Sequence, residues 1–330
     1  MAVYSGRQVA IAMAVEDPAG VLKAPSHRLI LDQKAFKRMI EKQVNTHSAG
    51  VRSSQFSQHI FREHSGGPLS GYLDADIMGL VGVALFGKKP VSAGAPPSRT
   101  HTWSGANEDS VLVAPFSIYR KTPNYQDAFR TCRPSKAMLK FMENSYTEYE
   151  LDFMGFAGAS NATALPAVPS ATELAYFVPK NVELKIADSA GNIGAASPLR
   201  AKTVTINYDA KVVGYPTIGQ TDYAEIGSME YSLNIDIVTL IDTDTLRQIW
   251  INDNVRYVQI TIRGDKQLTA SGSSAVPTFV IKIPAAQIKT WAESEPNSDF
   301  SEQTLTLSGF YNAGISSTMS AILTNATASY

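Results

Sequence analysis

Parts of this 330-residue sequence occur twice in the same order, and a repeat constrains architecture more tightly than any local pattern because each copy must fold as one unit. Leu73-Asp-Ala-Asp-Ile-Met-Gly-Leu80 aligns with Leu233-Asn-Ile-Asp-Ile-Val-Thr-Leu240, with Gly67 and Gly227 in matching positions upstream. Leu151-Asp-Phe-Met-Gly-Phe-Ala-Gly-Ala159 aligns with Leu305-Thr-Leu-Ser-Gly-Phe-Tyr-Asn-Ala313, and both alternate apolar residues until a Gly-Phe break. Between these blocks, Val113-Ala-Pro-Phe-Ser-Ile118 and Val276-Pro-Thr-Phe-Val-Ile281 are loosely similar. Three ordered matches predict a duplication, and a prior of roughly 150 residues per domain also gives about two. The expected division is a first domain over 1–160, a small-residue Ala/Pro linker over 161–173 and a second domain over 174–330.

Strand signals dominate. Short β-branched or aromatic runs bounded by Gly, Pro, Asn or Asp predict strands over 9–15, 111–119, 149–156, 182–186, 203–208, 229–237, 257–262, 279–283 and 303–310. Alternation is cleanest over 202–208, where Val204, Ile206 and Tyr208 share one face and Thr203, Thr205 and Asn207 the other. Helical spacing is rarer. Phe36, Met39, Ile40 and Val44 predict a helix over 33–44, and Asp244 is an acidic cap for a second over 244–251.

A hydrophobic content of 44% is enough to build cores. The charged fraction is 18%, below the usual level of about 25%, which fits a chain that hides surface against other subunits. Lys+Arg 29 against Asp+Glu 30 gives a net charge of -1 and no overall field to capture a polyanion. Cys132 is the only cysteine, so no intrachain disulfide is possible and synthesis in a reducing cytoplasm is expected. The first residues lack a signal-peptide pattern, and no window approaches about 18 apolar residues, so no membrane span is expected.

The usual catalytic signatures are absent. There is no G-x-S-x-G elbow, Walker loop or dinucleotide-binding glycine motif in a strand-turn-helix setting. His27, His47, His59, His64 and His101 lack metal-helix spacing and read as loop residues. Asp74-Ala-Asp76 and Asp242-Thr-Asp244 read as surface turns or helix caps rather than acid/base pairs. Arg133 beside Cys132 is of the kind that lowers a thiol pKa, but nothing else suggests thiol chemistry, and Cys132 reads as a small core or interface residue. Asn161 and Asn325 open glycosylation-type triplets that carry no weight without a secretion signal. No catalytic, cofactor or metal residue is assigned.

The order of elements resembles the tail tube proteins of long, non-contractile bacteriophage tails. In the first half the resemblance rests on Gly66-Gly-Pro-Leu-Ser-Gly-Tyr-Leu73, on Val83-Ala-Leu-Phe-Gly87 closing a helix-like segment, and on Pro115-Phe-Ser-Ile-Tyr119 followed by Thr131-Cys-Arg-Pro-Ser-Lys-Ala-Met-Leu139 and by Leu151 to Phe156. In the second half it rests on residues 203–208, 227–240 and 277–283 and on Met319-Ser-Ala-Ile-Leu-Thr-Asn-Ala326. The resemblance implies a mainly β chain of two tandem β-sandwich or half-barrel domains, each with a short flanking α-helix. It also implies homo-oligomeric rings stacked into a hollow tube in the virion. The partners implied are tail tip and tail terminator proteins, with DNA in non-specific transit. If each half supplies one sector of a six-fold ring, three chains close it; a single-domain reading needs six.

An open antiparallel sheet leaves unpaired edges, and closing sheets from several chains into one barrel removes them. Strands facing a DNA conduit are expected to be polar or acidic, so that phosphates slide without capture. Two irregular segments, 45–67 and 209–227, are expected to reach a neighbouring ring, or else to be ordinary exposed hairpins. Arg52, Phe56, Phe61 and Arg62 in the first and Tyr215 and Tyr223 in the second are the candidate inter-subunit contacts. A second reading is a carbohydrate- or receptor-binding β-sandwich, which requires an aromatic platform from residues such as Trp103, Trp250 and Trp291. A β-sandwich hydrolase is a third reading without any local signature.

Overall fold

The computed structural model describes residues 5–45, 57–95, 98–106, 110, 112–168, 175–241, 243–268, 275–294 and 300–330. The first part of the chain forms β1 (Ala10–Val15), β2 (His27–Leu29), β3 (Gln33–Lys34), β4 (Lys37–Asn45), β5 (Ser57–Tyr72), α1 (Ile77–Phe86), β6 (Val91–Ala93), β7 (Arg99–Trp103), β8 (Phe116–Lys121), β9 (Gln126–Met142), β10 (Glu148–Gly155) and β11 (Ala159–Ser160). The remainder forms β12 (Phe177–Ala187), β13 (Ala201–Asp209), β14 (Val212–Pro216), β15 (Tyr223–Ser228), β16 (Ser232–Leu240), α2 (Thr245–Ile251), β17 (Arg256–Gly264), β18 (Thr278–Ser294), β19 (Glu302–Gly309) and β20 (Ser320–Asn325).

Two long strands organise the molecule. β9 and β18 are each 17 residues long, and each serves two sheets. The first part of β9 pairs with β8, and β8 continues to β1 and β2. Its second part pairs with β10, which continues to β5 and from there to β3 and β4. Likewise, the first part of β18 pairs with β17 and β20, and its second part with β19, which continues to β16 and β13. Strands that pass from one sheet to another make the corners of a sandwich.

The strands on either side of residue 160 therefore follow the same pairing order, and the sequence blocks match it unevenly. Leu151 pairs with Ala137 in β10–β9, and Leu305 pairs with Trp291 in the corresponding β19–β18 ladder, so this block is structurally equivalent. The block at 73–80 is not: it forms a turn and the start of α1, whereas 233–240 lies in β16. Residues 113–118 lead into β8 and 276–281 into β18, although the counterpart of β8 in pairing order is β17.

Other expectations also change. Residues 33–44 form β3 and β4 rather than a helix. Their apolar spacing mimics a helical stripe, but the ladder runs from Lys37 opposite Gly66 to Asn45 opposite Ser57, and Ile40 is exposed. His27, His59, His64 and His101 lie on strands rather than loops, while His47 and Asp242 fall outside the described residues. Cys132 is fully buried, and burial pushes its thiol well above the usual range despite Arg133. Asn325 is buried, with its amide nitrogen donating to Ala75 O and Tyr330 Oη, so its triplet belongs to the interior.

The two parts are also joined. β13 pairs with the second part of β9, from Thr203 opposite Met142 to Asp209 opposite Lys136. One antiparallel run results, in the order β4–β5–β10–β9–β13–β16–β19–β18. On the other layer β20 adds to β7, which carries β6. Among the described residues one apolar core runs through both parts, including Leu69, Phe86, Leu139, Ile206, Ile235 and Phe279.

The turn into α1 shows how a polar group enters that core. Asp74 is buried, and its Oδ1 accepts hydrogen bonds from the Asp76 and Ile77 backbone amides at 2.9 and 3.0 Å, capping the first turn. Burial raises its carboxyl to about 6, against the pull of the Ile77 amide. The native state thus binds this proton more readily than the unfolded chain, and stability falls as pH rises from about 4 to about 6. Asp74→Asn keeps the accepting oxygen and removes the charge. Urea unfolding should show little change below about pH 4 and up to about 3 kcal/mol of added stability at pH 8. Equal effects at both pH values would remove the charge as the cause.

Candidate functional site

The eight-strand run buries one face and presents the other. Along β10, β13, β16 and β19 buried and accessible residues alternate, with Tyr149, Leu151, Ile206, Tyr208, Ile235, Ile237, Leu305 and Leu307 inward. The opposite face carries Glu148, Glu150 and Asp152 on β10, Lys136 and Lys140 on β9, Thr205, Asn207 and Asp209 on β13, Asn234 and Asp236 on β16, and Glu302, Thr304, Thr306 and Ser308 on β19.

Hydrogen bonds tie this face together across strands. Asp236 accepts from Asn207 Nδ2 and Thr306 Oγ1, both at 2.7 Å, which links β13, β16 and β19 through one carboxylate. Ser308 Oγ donates to Asn234 Oδ1 at 2.8 Å. Lys136 lies opposite both Asp152 and Asp209, and Lys140 lies opposite Glu148. Partial burial still pushes the Asp152 carboxyl up, with Lys136 pulling the other way. Lys202, at a bulge in β13, donates to Glu302 at 2.9 Å. The carboxylates on these strands outnumber the lysines, and the lysines stand beside carboxylates, so the face is polar and acidic rather than phosphate-capturing.

Both segments expected to be irregular are hairpin arms. The first is β4 with the beginning of β5, and the second is β14 with β15. They pack together where the first arm leaves the sheet. The Glu63 amide donates to Thr221 O at 2.8 Å, and the Arg62 guanidinium lies 5.3 Å from the Tyr223 ring centre. His64 is 5.6 Å from the same ring, and Arg133 of β9 reaches Glu225 of β15 at 3.5 Å.

Arg62 and Tyr223 are thus brought together within one chain, and Tyr223 is buried. Phe61 and Tyr215 remain on the outside, 58% and 69% exposed, and Ile218 at the second tip is fully exposed. Arg52 and Phe56 lie outside the described residues. Ile218 is not among the residues expected as contacts; its sequence signal is an apolar residue between Pro216 and Gly219 in a polar turn.

At the other end of β9 a groove of about 790 Å³ opens beside β12 and β13, lined by Phe141, Met142, Val182, Leu184, Leu199 and Val204. The tryptophans do not form a platform. Trp103 is buried, while Trp250 and Trp291 stack on each other with ring centres 5.5 Å apart. Among the described residues no three His, Cys, Asp or Glu side chains group as a metal site, and no helix is long and apolar enough to cross a membrane.

Residues 6–303 match the family model described as phage tail tube protein, which covers most of the chain and both parts of the fold. The chain belongs to the phage tail tube protein family. No curated protein sequence matches it. The antiparallel sheets, with two short helices among the described residues, are consistent with a tail tube protein, and the family's role is structural rather than enzymatic. Membership places the protein in the phage virion, as a component that self-assembles into a tube with other tail proteins.

Proposed function

We propose that three copies of this chain close into a ring, that the rings stack into the tail tube, and that DNA passes along the acidic face of the eight-strand run. The observation that carries this reading is the β9–β13 junction, where a second set of strands adds edge-to-edge to the first. β3 and the start of β4 sit beside β5 as β13 sits beside β16. The second part of β18 sits beside β19 as that of β9 sits beside β10. Among the described residues, β4 pairs only with β5, and residues 287–294 pair only with β19.

Pairing the β18 edge of one copy with the β3–β4 edge of the next repeats the internal junction and closes both edges of the eight-strand run. Such a head-to-tail contact closes into a ring when the rotation permits. On this reading residues 1–160 and 174–330 are the two sectors of a duplicated unit, joined by the linker at 161–173. The polar face then lines the lumen, where Asp236, Glu148 and Glu150 repel phosphates. The arms reach the neighbouring ring through Arg52, Phe56, Phe61 and Tyr215, while Arg62 and Tyr223 join the two arms within the chain. Tail tip and tail terminator proteins close the two ends, and the chain is made in the cytoplasm of the bacterial host.

Negative-stain electron microscopy across a concentration series, with light-scattering mass on the smallest closed species, tests this. Hollow tubes and a ring mass of three chains of 35.7 kDa are expected. A six-chain ring would remove the two-sector assignment, and a monodisperse monomer with purified tail tip protein present would remove the tube.

A further inference from the structure

We propose that the apolar groove at the far end of β9 is the socket for the second arm of a copy in the adjacent ring, with Ile218 as the inserted side chain. This rests on the tube reading and adds the surface that receives the arm. Position is the first argument. The arm is held at Arg133 and the groove begins at Phe141 and Met142 of the same strand. With about 3.3 Å of rise per residue, the stretch from Arg133 to Phe141 sets the base of the arm and the start of the groove about 26 Å apart along β9, toward opposite ends of that strand. Neither is able to meet the other within a chain or within a ring whose copies share one orientation. A copy displaced along β9 brings them together, and such a heterologous contact propagates without closing.

The chemistry matches. Residues 212–221 carry no charge, and Val213, Tyr215 and Ile218 are exposed on them. The groove floor is apolar, while Glu143, Lys180 and Lys202 lie at its polar margin. Inserting the tip therefore desolvates no charge of its own, which is the usual cost of burying a loop from another chain. A volume of about 790 Å³ also falls within the range of pockets that enclose a ligand of several side chains. Exposed apolar groups facing each other across two copies are the pattern of an interface rather than of a free surface.

The test is an Ile218→Cys, Ser145→Cys double variant treated with a short bismaleimide after assembly; Ser145 lies in the groove, and the native Cys132 is buried and silent. A covalent ladder on denaturing gels is expected, with either single variant giving none. Tubes of normal appearance with only monomer on the gel would overturn the socket and leave the tube reading standing. Absence of tubes and ladder together, with tail tip protein supplied, would overturn both. An Ile218→Asp variant gives a second reading. Its monomer should unfold as the parent does, and the concentration needed for tubes should rise on the order of tenfold or more. An unchanged threshold would also overturn the socket.

Discussion

Glu16→Ala should lower the free energy of unfolding by about 3–5 kcal/mol in urea titrations, because it removes an acceptor shared by three buried or half-buried donors. Glu16 is 4% exposed at the end of β1. Its Oε1 accepts from Ser117 Oγ at 3.0 Å and from the Thr131 amide at 2.7 Å, and its Oε2 accepts from the Gly20 amide at 2.8 Å. Thr131 has φ 53, a left-handed conformation that a β-branched residue rarely takes. It lies where β9 passes from its pairing with β8 to its pairing with β10, so the carboxylate clasps the corner of the sandwich. The charge of buried Arg133 also leans on Glu16, after Glu225. Glu16→Gln keeps Oε1 as an acceptor but turns an amino group toward Gly20, and should cost roughly 1–3 kcal/mol. A loss below about 1 kcal/mol for the alanine variant would show that the corner holds without the clasp.

Trp103→Ala should be comparably damaging, at about 3–5 kcal/mol. The indole is 1% exposed and stacks on Phe86 of α1 with ring centres 5.5 Å apart. It meets Phe279 of β18 edge-on at 6.2 Å, and its Nε1 donates to Lys88 O at 3.0 Å. It also fills the space over Gly82, where an added Cβ would come within 2.7 Å of the ring. One side chain thus fastens a helix of the first part to a corner strand of the second. Truncation opens a cavity at that contact, and the expected readout is a lower urea midpoint together with loss of assembly at the parent's threshold. A cost under about 2 kcal/mol would mean that the neighbours collapse into the space.

Strands whose faces alternate cleanly were legible in the sequence, and those whose neighbours differ along their length were not. Residues 203–208 and 303–310 alternate because β13 and β19 have one buried face throughout. β9 was missed as a single strand because its faces change roles at Thr131, so no period runs through all 17 residues. α1 was missed as a full helix for a different reason. All ten residues are buried, so it has no polar face and no 3.6-residue stripe, and Leu80 was aligned with a strand residue instead. The helix expected over 33–44 failed because β4 projects as an arm, where burial imposes no alternation and a chance spacing of Phe36, Met39, Ile40 and Val44 dominates. α2 was placed within a residue, since Asp244 and the buried stripe of Leu246 and Ile249 are local signals. For the candidate site, the arms were located but Tyr223 was taken for an inter-subunit contact, because its partners Arg62 and His64 are more than 150 residues away. The groove, built from three separated strands, left no local trace.

The pairing of β20 with β7 has a consequence for biosynthesis. Ala321 sits opposite Trp103 and Asn325 opposite Arg99, so a strand made late completes a ladder begun more than 200 residues earlier. A nascent chain that has not yet released residue 325 from the ribosome leaves one edge of β7 and the first part of β18 open to any passing strand. Contacts of such sequence separation form slowly. Translation through residue 325 is therefore the interval in which this chain is most exposed to pairing with the wrong molecule, and the one in which a holding chaperone has the most to protect.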